Sequence, residues 1–244
     1  MEEGTAQKRF NFIIQAKGGV GKSFLTYLIA VKYERDATRT FIDVDGSTRT
    51  STTQLRFLAR HDRRLADIDL LDGYRKIARD RLFDSLQQLA DVSNQVFYLD
   101  FGAPESEQIP ALLTLDLDQD ELREFEQYLN AHFVFHVVVA GGTAYTACVE
   151  YLMKIYQAVG RNFPIVVWMN VNTFQTFPQQ RENLLEMAST CRLSLESFGD
   201  LEPQTELANK IVRMMERGEG QEGIQSAGWF AKTKMEKMVQ SLTI

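Results

Sequence analysis

Ala16-Lys-Gly-Gly-Val-Gly-Lys-Ser23 is the stretch from which the fold can be read. In front of it, Phe10-Asn-Phe-Ile-Ile-Gln15 is a short run that is apolar on both faces, which predicts a buried strand. Behind it, Phe24, Leu25, Leu28, Ile29 and Val31 follow helical spacing to about Glu34. Between strand and helix, Gly18, Gly19 and Gly21 let the backbone turn tightly with its N–H groups pointing inward, and the helix adds its positive N-terminus. Gly21, Lys22 and Ser23 fill the last three places of the phosphate-loop pattern G-x-x-x-x-G-K-[ST], while Ala16 replaces its first glycine. Lys22 supplies a point charge for β- and γ-phosphates, and the Ser23 hydroxyl suits Mg²⁺. The candidate nucleotide-binding set is therefore Gly18, Gly19, Val20, Gly21, Lys22, Ser23 and Phe24.

Further apolar runs follow the same plan. Arg39 to Val44 reads as a strand ending in Asp43-Val-Asp45, and Gln95-Val-Phe-Tyr-Leu-Asp100 as another ending in a carboxylate. Phe133 to Ala140 and Pro164 to Asn170 add two more, and helical patterns cover Arg81 to Val92, Asp120 to Ala131 and Thr143 to Val159. Continuous apolar strands alternating with helices predict an α/β fold, a mostly parallel central sheet with helices on both faces. No linker, repeat or low-complexity tract interrupts the pattern, so residues 1–244 are expected to form one domain. Asp100, at the carboxyl end of its strand, stands where α/β proteins bind ligands and where Mg²⁺ and its waters need a negative partner.

Lys17-Gly-Gly-Val-Gly-Lys-Ser23 resembles the deviant Walker motif K-G-G-x-G-K-[ST] of the ParA/MinD group of P-loop ATPases, in which the first glycine of the general pattern is dispensable. The resemblance implies ATP and Mg²⁺ as cofactors and an ATP-dependent homodimer, with Lys17 reaching the partner's nucleotide. Asp43-Val-Asp45 resembles the group's switch I. Asp45 then maps onto the aspartate that positions the attacking water, and Asp43 supports Mg²⁺ through water. The usual Pro-Gln after this motif is replaced by Gly46-Ser47, which bears on hydrolysis more than on binding. Asp100 matches the Walker B aspartate, Asn170 falls where the group hydrogen-bonds adenine, and Pro203 falls where it places a base-contacting loop. Gly141-Gly-Thr-Ala, Phe163 to Asn170 and Phe101-Gly-Ala-Pro-Glu105 resemble, more narrowly, the TraL type of plasmid transfer proteins. The match spans roughly residues 10 to 210. Lys17 sets the chain apart from dethiobiotin-synthetase relatives, and neither Cys148 nor Cys191 adjoins Asp45 or Asp100, as a nitrogenase-type cluster would require.

The implied function is a dimerising ATPase switch that positions, partitions or helps transfer a cargo such as plasmid DNA, with a protein partner that stimulates slow hydrolysis. The alternatives are a nucleotide-dependent adaptor without turnover and a MinD-like positioning ATPase on a membrane.

Composition narrows these readings. Of 244 residues, 33 are acidic and 27 basic, a net charge of −6 that disfavours coating nucleic acid through bulk charge. The charge is segregated. Arg56 to Arg81 carries eight basic against five acidic side chains, and Leu82 to Ala131 carries eleven carboxylates against Arg123 alone. The basic stretch is a possible local DNA contact, though a solvated helical face laced with i,i+4 pairs is the first expectation. Two isolated cysteines suggest neither a disulfide framework nor a zinc site. The start lacks a signal-peptide pattern and no run approaches the roughly 18 apolar residues of a membrane span, so a cytoplasmic location is expected. At the other end, Trp229 to Leu242 places Ala231, Met235, Met238 and Leu242 on one helical stripe. A packed terminal helix is the expectation there, ahead of a membrane-lying one.

Overall fold

The computed structural model describes residues 7–45, 50–60, 64–71, 78, 80–160 and 162–244. Seven strands, β1 (Lys8–Ile14), β2 (Arg39–Val44), β3 (Leu65–Asp67), β4 (Val96–Phe101), β5 (Ala131–Val139), β6 (Ile165–Asn170) and β7 (Ser194–Phe198), form one sheet in the order β3-β2-β4-β1-β5-β6-β7. Every pairing is parallel. Crossovers are carried by α1 (Lys22–Lys32), α2 (Thr50–Gln54), α3 (Asp80–Ala90), α4 (Ala103–Ala111), α5 (Gln119–Tyr128), α6 (Tyr145–Val159) and α7 (Pro178–Cys191). After β7 the chain finishes in α8 (Glu206–Glu216), α9 (Gln221–Ser226) and α10 (Trp229–Ser241).

The centre of the sheet is aromatic, and register explains its stacking. Phe10 of β1 lies opposite Phe97 of β4 and Phe133 of β5, and Phe12 opposite Phe135. The Phe10 and Phe97 rings stack at 4.7 Å, those of Phe12 and Phe135 at 5.1 Å, and Phe133 meets Phe12 edge-on at 5.4 Å. Such pairs add about 1 kcal/mol each beyond simple burial. They fix the middle strands, whose carboxyl ends carry the candidate site.

Helix boundaries have local causes. Asp118 caps α5 by accepting from Asp120 N and Glu121 N at 2.9 Å, and Glu121 reaches back to Asp118 N, forming a reciprocal cap. Pro110 lies inside α4 and cannot donate to the Ser106 carbonyl. That carbonyl accepts instead from the Tyr151 hydroxyl at 2.7 Å, and the chain then loosens into a π-turn over Leu112–Asp116. At the C-terminus α10 buries Ala231, Met235 and Met238, while Trp229 and Phe230 at its start stay exposed. Among the described residues, no helix is long and apolar enough to cross a membrane.

The basic stretch differs from the solvated helical face expected of it. Arg63, Arg75, Lys76 and Arg79 lie outside the described residues. Of the described part, Leu58–Arg60 is a 3-10 turn and Leu65–Asp67 is edge strand β3. Arg64 is buried, and its guanidinium donates to the carbonyls of Tyr33, Glu34 and Asp36, which close the loop after α1. A guanidinium fork can satisfy several carbonyls from one position, so this cation is consumed by the fold and withdrawn from any DNA patch. Arg64→Ala strands those acceptors. It is expected to cost about 3 kcal/mol in urea unfolding.

Candidate phosphate-binding site

The loop after β1 folds as its glycines require. Gly19 and Gly21 take positive φ, 75° and 104°, and α1 starts at Lys22 with no capping side chain and no acidic residue in its first turn. An uncapped helix N-terminus that follows a glycine loop is able to receive an anion. Lys17 is exposed on the rim, whereas Lys22 is only 8% exposed and donates from Nζ to the Gln15 carbonyl at 2.8 Å. Burial lowers the Lys22 pKa, and Asp100, then Cys148, Asp45 and Glu105, act against that shift. The ammonium is thus held by the Gln15 carbonyl within the field of those carboxylates.

Asp45 and Asp100 come from the ends of adjacent strands, and Glu105 from the first turn of α4. Asp43 and Asp100 are in register across β2 and β4, and Asp100 is also level with Ile13 of β1. Asp100 is buried. Asp43 Oδ2 accepts from the Thr52 N–H at 2.7 Å and from the Thr52 hydroxyl at 2.9 Å, anchoring α2 to the strand end. Burial nevertheless raises the Asp43 pKa, with Asp45 and Asp67 adding to the rise. Asp45 is half-buried, and Gly46 and Ser47 lie outside the described residues. A Cβ at Gly102 would come within 2.2 Å of Glu105 Oε2 and 3.3 Å of Asp45 Cγ, so both carboxylates gather over that glycine.

Glu105 and Gln15 are site residues that the motifs do not mark as such. Glu105, 2% exposed at the start of α4, belongs to the Phe101-Gly-Ala-Pro-Glu105 turn, and a carboxylate in the turn that follows Asp100 was the signal available. Gln15 is fully buried. Its side chain donates to the Val138 carbonyl at 2.8 Å and accepts from Lys17 N at 3.2 Å, tying the loop's first residue to β5.

The remaining predicted residues lie on the far side of the loop. Gly19 to Phe24 share a cavity of about 550 Å³ with Gln54, Leu201, Pro203, Ile211 and Met215, so Pro203 does face the loop. Asn170, at the end of β6, donates from Nδ2 to the Val20 carbonyl at 3.0 Å. Among the described residues, no group of three or more His, Cys, Asp or Glu side chains could hold a metal ion by itself.

A parallel seven-stranded sheet whose first strand runs through a glycine loop into a buried lysine defines a ParA/MinD-type P-loop fold. The chain superposes on the MinD cell division protein of Aquifex aeolicus with a TM-score of 0.55, at 15% identity, over 97% of this chain and 98% of that one. It superposes on a ParA family ATPase from Chlorobium tepidum with a TM-score of 0.50, at 13% identity, over 96% of each chain. More particularly, it is similar in sequence to protein TraL of Escherichia coli, 28% identical over 171 residues that cover 66% of this chain and 63% of TraL. The chain thus matches less than two thirds of the length of that curated relative. No family model matches the chain.

Proposed function

We propose that the chain is a Mg-ATP-dependent switch that dimerises around two nucleotides and uses slow, partner-stimulated hydrolysis to position, partition or help transfer a cargo, plasmid DNA or its transfer machinery. The observation that carries this reading is the buried Lys22 ammonium, held among Asp100, Asp45 and Glu105 behind an uncapped helix N-terminus. Lys22 and the N–H groups of Gly18 to Phe24 bind the phosphates. Ser23 and Asp100 are the groups for Mg²⁺, with Asp43 beside them. A donor set this sparse fits Mg²⁺, which usually takes one or two protein groups together with phosphates and water. When bound, the ion neutralises charge on the phosphates. Asp45 orients the attacking water, and Lys17, exposed on the rim, is available to a second copy.

The test of the switch is Asp45→Ala. With hydrolysis blocked and binding kept, this protein is expected to accumulate as an ATP-bound dimer, doubling its mass in light scattering. A variant that stays monomeric at saturating ATP would count against dimerisation around nucleotide. A second reading, an adaptor that binds nucleotide without turning it over, draws on the two Thr52 bonds that engage one Asp43 oxygen. Phosphate release measured with and without DNA separates the two, since steady release belongs to the ATPase and tight binding without release to the adaptor.

A further inference from the structure

We propose that Asn170 is a positioning residue that sets the orientation of the phosphate loop. This deepens the nucleotide-binding reading and rests on it. The Asn170 Nδ2 donates to the Val20 carbonyl at 3.0 Å, although the two residues are 150 positions apart. A trans peptide unit is planar, and its C=O and the following N–H point in opposite directions. The peptide bonds here are all trans among the described residues. Holding the Val20 carbonyl toward β6 therefore turns the Gly21 N–H the other way, away from β6.

The surroundings fit this single contact closely. A Cβ at Gly21 would lie 2.9 Å from Asn170 Nδ2 and 3.3 Å from Phe198 Cζ. A Cβ at Gly199 would lie 2.7 Å from Asn170 Oδ1. Both glycines also take positive φ, 104° and 77°, which L side chains rarely adopt. The Asn170 amide is thus enclosed between two glycines, one in the phosphate loop and one directly after β7. Phe198 packs against Trp168 edge-on at 6.2 Å, backing the amide with fully or nearly buried rings. From Gly199 the chain continues to Leu201 and Pro203, which line the same cavity as Gly19 to Phe24. One side chain therefore joins the phosphate loop to the wall opposite it.

Positioning and base reading predict different losses. The measurement is calorimetric binding of ATP, GTP and inorganic tripolyphosphate to the full chain, with Asn170→Ala and the uncharged, near-isosteric Asn170→Leu, both of which lose the donor. Positioning predicts that both variants weaken all three ligands by the same factor, about 5-fold, the worth of one hydrogen bond. It also predicts faster amide exchange at residues 18–23 in the ligand-free variants, with exchange elsewhere unchanged. A loss confined to ATP, with tripolyphosphate binding intact, would overturn positioning in favour of adenine recognition. Unchanged binding and unchanged exchange would overturn it outright. If the wild-type chain bound none of the three ligands, the nucleotide reading would fail, and exchange at residues 18–23 would still decide whether Asn170 orders the loop.

Discussion

Lys22→Ala is expected to weaken ATP binding by about 100-fold or more and to reduce phosphate release to background, while leaving the fold intact. The size follows from what the ammonium does. Hydrogen bonds to charged groups are worth about 1.5–3 kcal/mol each, and two such contacts to phosphate oxygens correspond to a factor of at least 10². Among the described residues around Lys22, no other cation can replace them. Lys17 is exposed on the rim, and the groups around the Lys22 side chain are carboxylates, a thiol and the Gln15 carbonyl. Folding should change little, because two effects oppose each other. Burial makes the lysine charge costly, and the field of Asp100 and its neighbours recovers part of that cost. A thermal midpoint within about 5 °C of wild type is therefore expected. Fluorescent ATP titration and calorimetry on one preparation check both halves. Unchanged affinity in Lys22→Ala would remove Lys22 from the binding site and, with it, the central support for nucleotide chemistry.

Geometry also places the strand-end carboxylates on the opposite side of β1 from Asn170 and Phe198. Asp43 and Asp100 end β2 and β4, on one side of β1 in the sheet, and Asn170 and Phe198 end β6 and β7, on the other. The loop leaves β1 between them. Strand order thus separates the side expected to act on the γ-phosphate from the side expected to hold the rest of the nucleotide. This follows from a parallel sheet in which the loop strand is central, the usual location of ligand sites in open α/β folds.

The central part of this arrangement is legible in the sequence because it is written in consecutive residues. The strand, the glycines and Lys22 occupy one continuous stretch, and Asp43, Asp45 and Asp100 each end an apolar run. Elements at the margins do not announce themselves this way. β7 is Ser194-Leu-Glu-Ser-Phe198, a sheet-edge strand with only Phe198 buried, so it lacks the apolar run that marks the inner strands. β3 is three residues inside a basic stretch, and its pairing with β2 comes from the sheet alone. α4 carries Pro104 and Pro110, which read as breakers, and its carbonyl left over at Ser106 is satisfied by Tyr151, 45 residues away. The contacts that shape the site have the same character. Gln15 with Val138, Asn170 with Val20 and Arg64 with the end of α1 join residues that only the folded topology brings together.

A second large effect is expected from acid and resides away from the phosphate loop. His136, on β5, is fully enclosed, and its Nδ1 accepts from Trp168 Nε1 at 2.9 Å. The indole can only donate, so the imidazole proton sits on Nε2 and donates to Asn11 Oδ1 at 3.0 Å. Asn11 Oδ1 also accepts from Arg9 Nε at 3.1 Å, and Asn11 Nδ2 donates to the Phe97 carbonyl at 3.1 Å. A second proton on His136 would point at the Trp168 N–H, in a buried site near Arg9. Burial first, and Arg9 second, accordingly push its pKa down to about 3. In the unfolded chain the imidazole titrates near its ordinary value of about 6.5. Below that pH the unfolded state takes up a proton that the folded state refuses. The stability His136 contributes is therefore complete above about pH 6.5 and is lost as pH falls toward 3, at about 1.4 kcal/mol per unit. By pH 4.5 the expected loss is about 2 to 3 kcal/mol. Asp43, whose carboxyl is raised by burial, acts in the opposite sense, because its contribution is lost as pH rises. The comparison with His136→Gln removes that background, since glutamine keeps one donor and one acceptor but cannot titrate. Urea unfolding from pH 7.5 to 4.5 is expected to show the wild-type free energy falling toward that of His136→Gln, with parallel profiles above pH 6.5. Profiles that stay parallel throughout would mean that His136 takes up its proton as readily in the folded chain as in the unfolded one, and that the Trp168 bond to Nδ1 does not hold it neutral.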